Sequence, residues 1–259
     1  MAAAPTIELE KYEKMTGGIN AKDRLIVALD LQDINAARAM VTQLEGVVDF
    51  FKVGLTLQMA EGAEQFIHQL LREEKRVFLD YKYYDIPETV RIAVKRASDI
   101  GVTFLTVHGS SAVMKEAVKA RGDKLKLFTV TVLTSMDADD IAEMGYDRHT
   151  VADLVIFRAK KALEAGCDGV IASGEEAERI KKEVGSLLVV TPGIRDQNSP
   201  PDDQKRTTTP SGAIRAGADY LVLGRLITAP EKYGNYANSR DAATAILAEM
   251  QAAFDSRQS

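Results

Sequence analysis

The 259-residue chain has one cysteine, three histidines, no extended run of one charge and no long apolar run. Each scarcity removes a class of protein. A single cysteine, Cys167, cannot build an intramolecular disulfide framework and fits a reducing compartment; its expected role is packing in a core strand region, not nucleophilic attack. Histidine and cysteine form no compact ligand set, so nothing in the chain calls for a metal. No segment approaches the ~18 uninterrupted apolar residues of a membrane span. Residues 1–21 mix Ala, Glu and Lys without the basic-then-apolar order of a secretory signal. The expectation is a cytoplasmic protein without a membrane partner. Lys+Arg number 33 against 38 Asp+Glu, a net charge of -5. With no basic aromatic stripe, this argues against nucleic acid as a partner.

What the chain does have is alternation. Its length suits one large α/β domain, with residues 1–21 as an N-terminal extension set off by Gly17-Gly18 and residues 22–259 as the folded unit. Apolar runs of strand character lie at 24–30, 47–54, 77–79, 102–107, 125–132, 168–172, 187–190 and 219–224. Helical spacing follows the first run, where Asp33 or Asn35 can cap. Further helices are expected over 55–74, over 87–99 with Pro87 in the first turn, over 138–165 with a break near Gly145, and over 238–254; a little helix is expected near 7–15. Eight such alternations predict a single (β/α)8 TIM barrel, an α/β fold. A doubly wound open sheet is the alternative. Residues 196–209, with Pro200-Pro201 and three consecutive threonines, read as a long loop of the kind that often carries function.

Charge gathers at the strand ends. Asp30, Lys52, Asp80 and Lys82 fall at or just past the ends of the first three strands, and Asp85 follows closely. Residues two apart on a strand share a face, so Asp80 and Lys82 would project together. A barrel would collect all four at its C-terminal mouth, where such folds place their chemistry. The plain alternative is an ion-pair network sealing the barrel top. The functional reading is a proton-transfer site, because a lysine between carboxylates is held protonated and can act as an acid. Across the mouth, Gly193, Arg195, Gln204, Lys205, Arg206, Gly224 and Arg225 follow strands seven and eight, the recurrent phosphate position of such barrels. Guanidinium groups and open backbone amides suit phosphate. His108 is expected to be a packed histidine, Tyr81, Tyr83 and Tyr84 packing or interface residues, and Asp139-Asp140 a solvated face.

The string Asp80-Tyr-Lys82-Tyr-Tyr-Asp85-Ile86-Pro87-x-Thr89 resembles the signature of the orotidine 5′-monophosphate decarboxylase family. The likeness extends through Ala28-Leu29-Asp30, Phe51-Lys52-Val53-Gly54, Leu133-Thr134-Ser135-Met136, Pro192-Gly193-Ile194-Arg195, Asp203-Gln204-Lys205-Arg206 and Gly224-Arg225-x-Ile227-Thr228. The resemblance implies a decarboxylase of orotidylate that makes uridine monophosphate and needs no cofactor. It implies that Asp30 holds ribose hydroxyls and that Lys52, Asp80, Lys82 and Asp85 form the catalytic charge network, with Lys82 delivering the proton. By the same resemblance, Ser135 contacts the pyrimidine, Pro192 lies in the substrate site, Gln204 bridges toward the phosphate, and Gly224 and Arg225 grip it. Asp85 and Thr89 would reach into a neighbouring subunit's site, which implies a homodimer. Glu88 stands where Asn is common in the family, and Leu226 where Pro is common in one branch.

Two rival readings follow from the same string. A magnesium-dependent sugar-phosphate decarboxylase or aldolase of the same barrel type would carry a Glu at the end of strand two, where this chain has Lys52. A catalytically inactive phosphate-binding barrel would have no need of the complete charged set.

Overall fold

The structure is a computed structural model that describes residues 19–196, 199–200 and 205–258; the helix expected near 7–15 and Gln204 lie outside them. Eight parallel strands close in sequence order into a barrel: β1 Leu25–Ala28, β2 Phe50–Gly54, β3 Arg76–Tyr83, β4 Phe104–Val107, β5 Lys126–Val130, β6 Gly169–Ile171, β7 Leu188–Thr191 and β8 Tyr220–Leu223. The (β/α)8 expectation holds, and the open sheet is excluded by the pairing of β1 with β8.

Helices α1 Ile34–Gln43, α2 Ala63–Arg72, α3 Pro87–Ile100, α4 Ser111–Ala120, α5 Val151–Ala165, α6 Gly174–Glu183, α7 Pro210–Arg215 and α8 Ser239–Gln258 surround the strands. Asp33 caps α1 by accepting from the Ala36 amide at 2.8 Å, as its residue type favours. The helix expected over 55–74 is two pieces, Leu55–Gln58 and α2, because Gly62 at φ 82 takes a left-handed turn between them. The break expected at Gly145 is present, at φ 88. Among the described residues no helix is long and apolar enough to cross a membrane.

Strand alternation divides the apolar residues into two cores. Val27, Phe51, Val53, Leu79 and Leu105 point outward and pack under the helices. Ile26, Phe50, Phe78, Phe104, Phe128, Val190 and Tyr220 point inward and fill the barrel. The Phe104 ring centroid lies 4.5 Å from that of Phe128, 4.9 Å from Phe50 and 5.0 Å from Tyr220, edge-on or tilted as aromatic quadrupoles prefer. This plug makes the barrel solid below and sets the floor of what lies above it.

Candidate active site

The residue two beyond each inward apolar side chain also faces inward, one layer higher. Thus Ala28 leads to Asp30, Phe50 to Lys52, and Phe78 to Asp80 and then Lys82. All four charged residues line one cavity of about 530 Å³ at the C-terminal mouth, with Phe78 beneath them. Lys52 is the buried member, 7% exposed. Its Nζ donates to Asp30 Oδ1 at 2.9 Å and Oδ2 at 3.1 Å, and lies 3.4 Å from Asp80 Oδ2. Lys82 Nζ donates to Asp80 Oδ1 at 2.9 Å. The charges therefore run Asp30, Lys52, Asp80, Lys82, alternating in sign.

Burial works against charge on both central groups, and the neighbours overcome it. Desolvation pulls Lys52 down, but Asp80 and Asp30 hold its ammonium above the ordinary lysine value. Desolvation pushes Asp80 up, but Lys52 first and Lys82 next, with bonds from Lys82 and Thr106, keep its carboxylate below the ordinary range. Gly54 makes the packing possible. A Cβ there would sit 2.8 Å from Asp30 Oδ1 and 2.9 Å from Lys52 Nζ.

The backbone of β3 is unusual at the same place. Its register against β4 shifts between Leu79 and Tyr83, and Lys82 sits at φ 47, a left-handed conformation that costs a non-glycine residue about 1–2 kcal/mol.

Ser135, Pro192, Gly193, Arg195, Gly224 and Arg225, which follow β5, β7 and β8, line the rest of the cavity. Arg225 stacks its guanidinium 5.3 Å from the Tyr233 ring centroid. The chain returning from the long loop is tied to its start: the Arg195 amide donates to Thr208 O at 2.9 Å and the Thr208 amide to Gly193 O at 3.2 Å. Asp85 and Thr89 are exposed and do not line this cavity.

Several expectations need correction or addition. Arg206, grouped by sequence with the phosphate-facing residues, turns away from the cavity. It pairs with buried Glu176 and donates to Val132 O and Leu133 O at 3.1 and 2.9 Å. Lys205 bonds Asp137 and Asp140 at 2.6 and 2.8 Å, an exposed ion-pair cluster on the solvated face expected for Asp139-Asp140. The 205–206 amides also donate to Thr134 O, which fixes the segment leading into Ser135. His108 is packed, edge-on to Tyr84 at 5.4 Å. Cys167 is buried, its thiol pushed up to about 12 by desolvation. Thr106 was missed for want of charge; its signal was the Phe104-x-Thr106 spacing, which matches Phe78-x-Asp80.

A closed (β/α)8 barrel with alternating carboxylates and ammoniums around an open cavity at the strand C-termini has the arrangement of a barrel enzyme. The sequence profile of the orotidine 5'-phosphate decarboxylase / HUMPS family matches residues 23–237. A protein of Nitrobacter winogradskyi named orotidine 5'-phosphate decarboxylase is 52% identical over 232 residues, 89% of this chain and 93% of its own length. One of the same name from Methylococcus capsulatus is 44% identical over 91% of this chain and 95% of its own. The crystal structure of orotidine 5'-phosphate decarboxylase from Lactobacillus acidophilus matches at a TM-score of 0.75, with 33% identity, over 88% of this chain and 98% of that one. The chain belongs to the orotidine 5'-phosphate decarboxylase / HUMPS family, and it is an enzyme.

Proposed function

We propose that the protein decarboxylates orotidine 5'-monophosphate to uridine 5'-monophosphate in pyrimidine biosynthesis, without metal or organic cofactor. The observation that carries this reading is the alternating chain Asp30, Lys52, Asp80, Lys82 on one wall of the cavity. The C6–carboxylate bond breaks, carbon dioxide leaves, and the electron pair remains on C6. The Lys82 ammonium stabilises that carbanion and gives it a proton, then recovers one from solvent. A preorganised cation aimed at developing negative charge contributes several kcal/mol, about 3–4 for a single hydrogen-bond donor in comparable sites. Asp30 holds the ribose hydroxyls, Lys52 fixes Asp80, Ser135 meets the pyrimidine, and Pro192 borders the substrate. Gly224, Arg225 and Gln204 hold the phosphate, whose remote contacts help organise the reacting centre.

The exposure of Asp85 and Thr89 supports a homodimer in which each protomer lends these two residues to its partner's site. Residues 22–259 act as the barrel domain and 1–21 as an extension, and the single buried thiol suits the cytoplasm.

Lys52 weighs against the magnesium-dependent sugar-phosphate reading. Its ammonium lies between Asp30 and Asp80, where a divalent cation would need an anionic ligand in its place. Loss of orotidylate is to be followed with EDTA present. Steady turnover to uridine 5'-monophosphate supports the proposal; turnover only after magnesium is added, or none at all, contradicts it.

A further inference from the structure

The geometry points to Thr106 as a positioning residue that sets both the backbone of Lys82 and the carboxylate of Asp80, so that the chemistry depends on a hydroxyl that never meets the substrate. The inference deepens the proposed decarboxylation and rests on it for its kinetic arm only.

Thr106 lies on β4, is fully buried, and does not line the cavity. A register shift in a strand pair leaves a backbone amide without its ladder partner, and a buried amide must find another. In β3 that amide belongs to Lys82, and it donates to Thr106 Oγ1 at 2.9 Å. The same hydroxyl donates to Asp80 Oδ1 at 2.9 Å. A hydroxyl can do both at once, since it carries one donor and two acceptor lone pairs. Past the shift the ladder resumes, with the His108 amide donating to Tyr83 O at 2.9 Å.

The consequence is a closed ring. Lys82 Nζ bonds Asp80 Oδ1, Asp80 Oδ1 accepts from Thr106, and Thr106 accepts from the Lys82 amide. Both ends of the lysine are thereby referred to one carboxylate oxygen, and the left-handed φ of 47 at Lys82 is held where its side chain meets Asp80. Without the hydroxyl, Lys82 loses the partner that makes its backbone conformation tolerable, and Asp80 loses a bond that orients it. Valine copies the shape of threonine and lacks the hydroxyl; serine keeps the hydroxyl and lacks the methyl.

The test compares the parent with Thr106→Val and Thr106→Ser by kcat on orotidylate, by Kd for uridine 5'-monophosphate, and by crystal structure. The expected result is a kcat at least about tenfold lower in the valine variant with Kd changed less than about threefold, and a serine variant within about threefold of the parent in both. In the crystal, Lys82 of the valine variant leaves the left-handed region or its ammonium leaves Asp80. A valine variant with parental kcat and unmoved Lys82 overturns the inference, as does a serine variant as impaired as valine, which would mark a packing role. Should the valine variant fail to fold, Thr106→Ala takes its place with the same expectations. Should the parent not turn over orotidylate, the proposed function fails, and the crystallographic comparison still decides the role of Thr106.

Discussion

The two ends of the barrel treat charge differently. At the N-terminal end, three aspartates each directly precede a strand. Asp168 accepts from the Leu127 amide at 2.8 Å and pairs with Arg121; Asp219 accepts from the Val189 amide at 2.7 Å and from Lys181 at 2.6 Å. Asp49 holds Lys22 and Lys75 at 2.6 and 2.7 Å. Each of Asp168 and Asp219 is answered by a backbone amide and a cation, which joins neighbouring strands and leaves nothing pointing at a cavity. At the mouth, Asp30, Lys52, Asp80 and Lys82 answer chiefly one another and face about 530 Å³ of open space. Similar ion pairs thus serve two ends: the lower set closes the sheet, and the upper set holds charge ready for a ligand.

That contrast can be broken first at Lys52, the most buried of the four mouth charges. Lys52→Met removes the buried cation that Asp30 and Asp80 share, and the expected outcome is loss of turnover together with about 3–5 kcal/mol of stability, read by assay and urea unfolding. Asp168→Ala sharpens the other side. It should cost about 3 kcal/mol in unfolding, since it leaves Arg121 and the Leu127 amide unanswered, while kcat per folded molecule stays at the parental value. Gly54→Ala pushes a methyl group against Asp30 and Lys52; a displacement approaching 1 Å predicts a fall of up to about a hundredfold in kcat/KM, with a much smaller change in urea midpoint. The smallest effect is in pH. The folded carboxyl of Asp80 sits below its ordinary value of 3.8, so its contribution is complete above that value and is lost as pH falls through the depressed one. Lys52 sits above 10.5, so its contribution is complete below 10.5 and is lost as pH rises through the elevated value. Melting temperature should therefore fall toward both extremes, with an acid limb shallower in Asp80→Asn than in the parent.

Much of this was legible in the chain because two periodicities carry it. Apolar runs spaced by helical segments predict the eight-strand barrel, the two-residue strand period puts Asp80 and Lys82 on one face, and the strand ends of a barrel gather both with Asp30 and Lys52 at one mouth. What escaped has no local signature. Nothing in Tyr81-Lys82-Tyr83 announces a left-handed lysine, and the hydroxyl that its amide meets, Thr106, lies on the neighbouring strand. Arg206 looked like a phosphate ligand because it follows Gln204 and Lys205 in sequence, yet its partner Glu176 lies 30 residues away on α6 and draws it beneath the β5 loop. The pairing of Asp140 with Lys205, 65 residues distant, likewise has no local signal. The breaks at Gly62 and Gly145 show the same limit from the other side: only the second had a helix long enough around it to make the interruption expected.

The most direct measurement is kcat and melting temperature of Lys82→Ala side by side with the parent, on orotidylate with EDTA present. Lys82 is partly exposed at the mouth and bonds one carboxylate. The expected result is a melting temperature within a few degrees of the parent, as for loss of a partly exposed ion pair, and a kcat lower by about a thousandfold or more, as for loss of a preorganised group at the reacting atom. A folded Lys82→Ala protein that turns over orotidylate within about tenfold of the parent would contradict the assignment of the mouth charges to the chemistry.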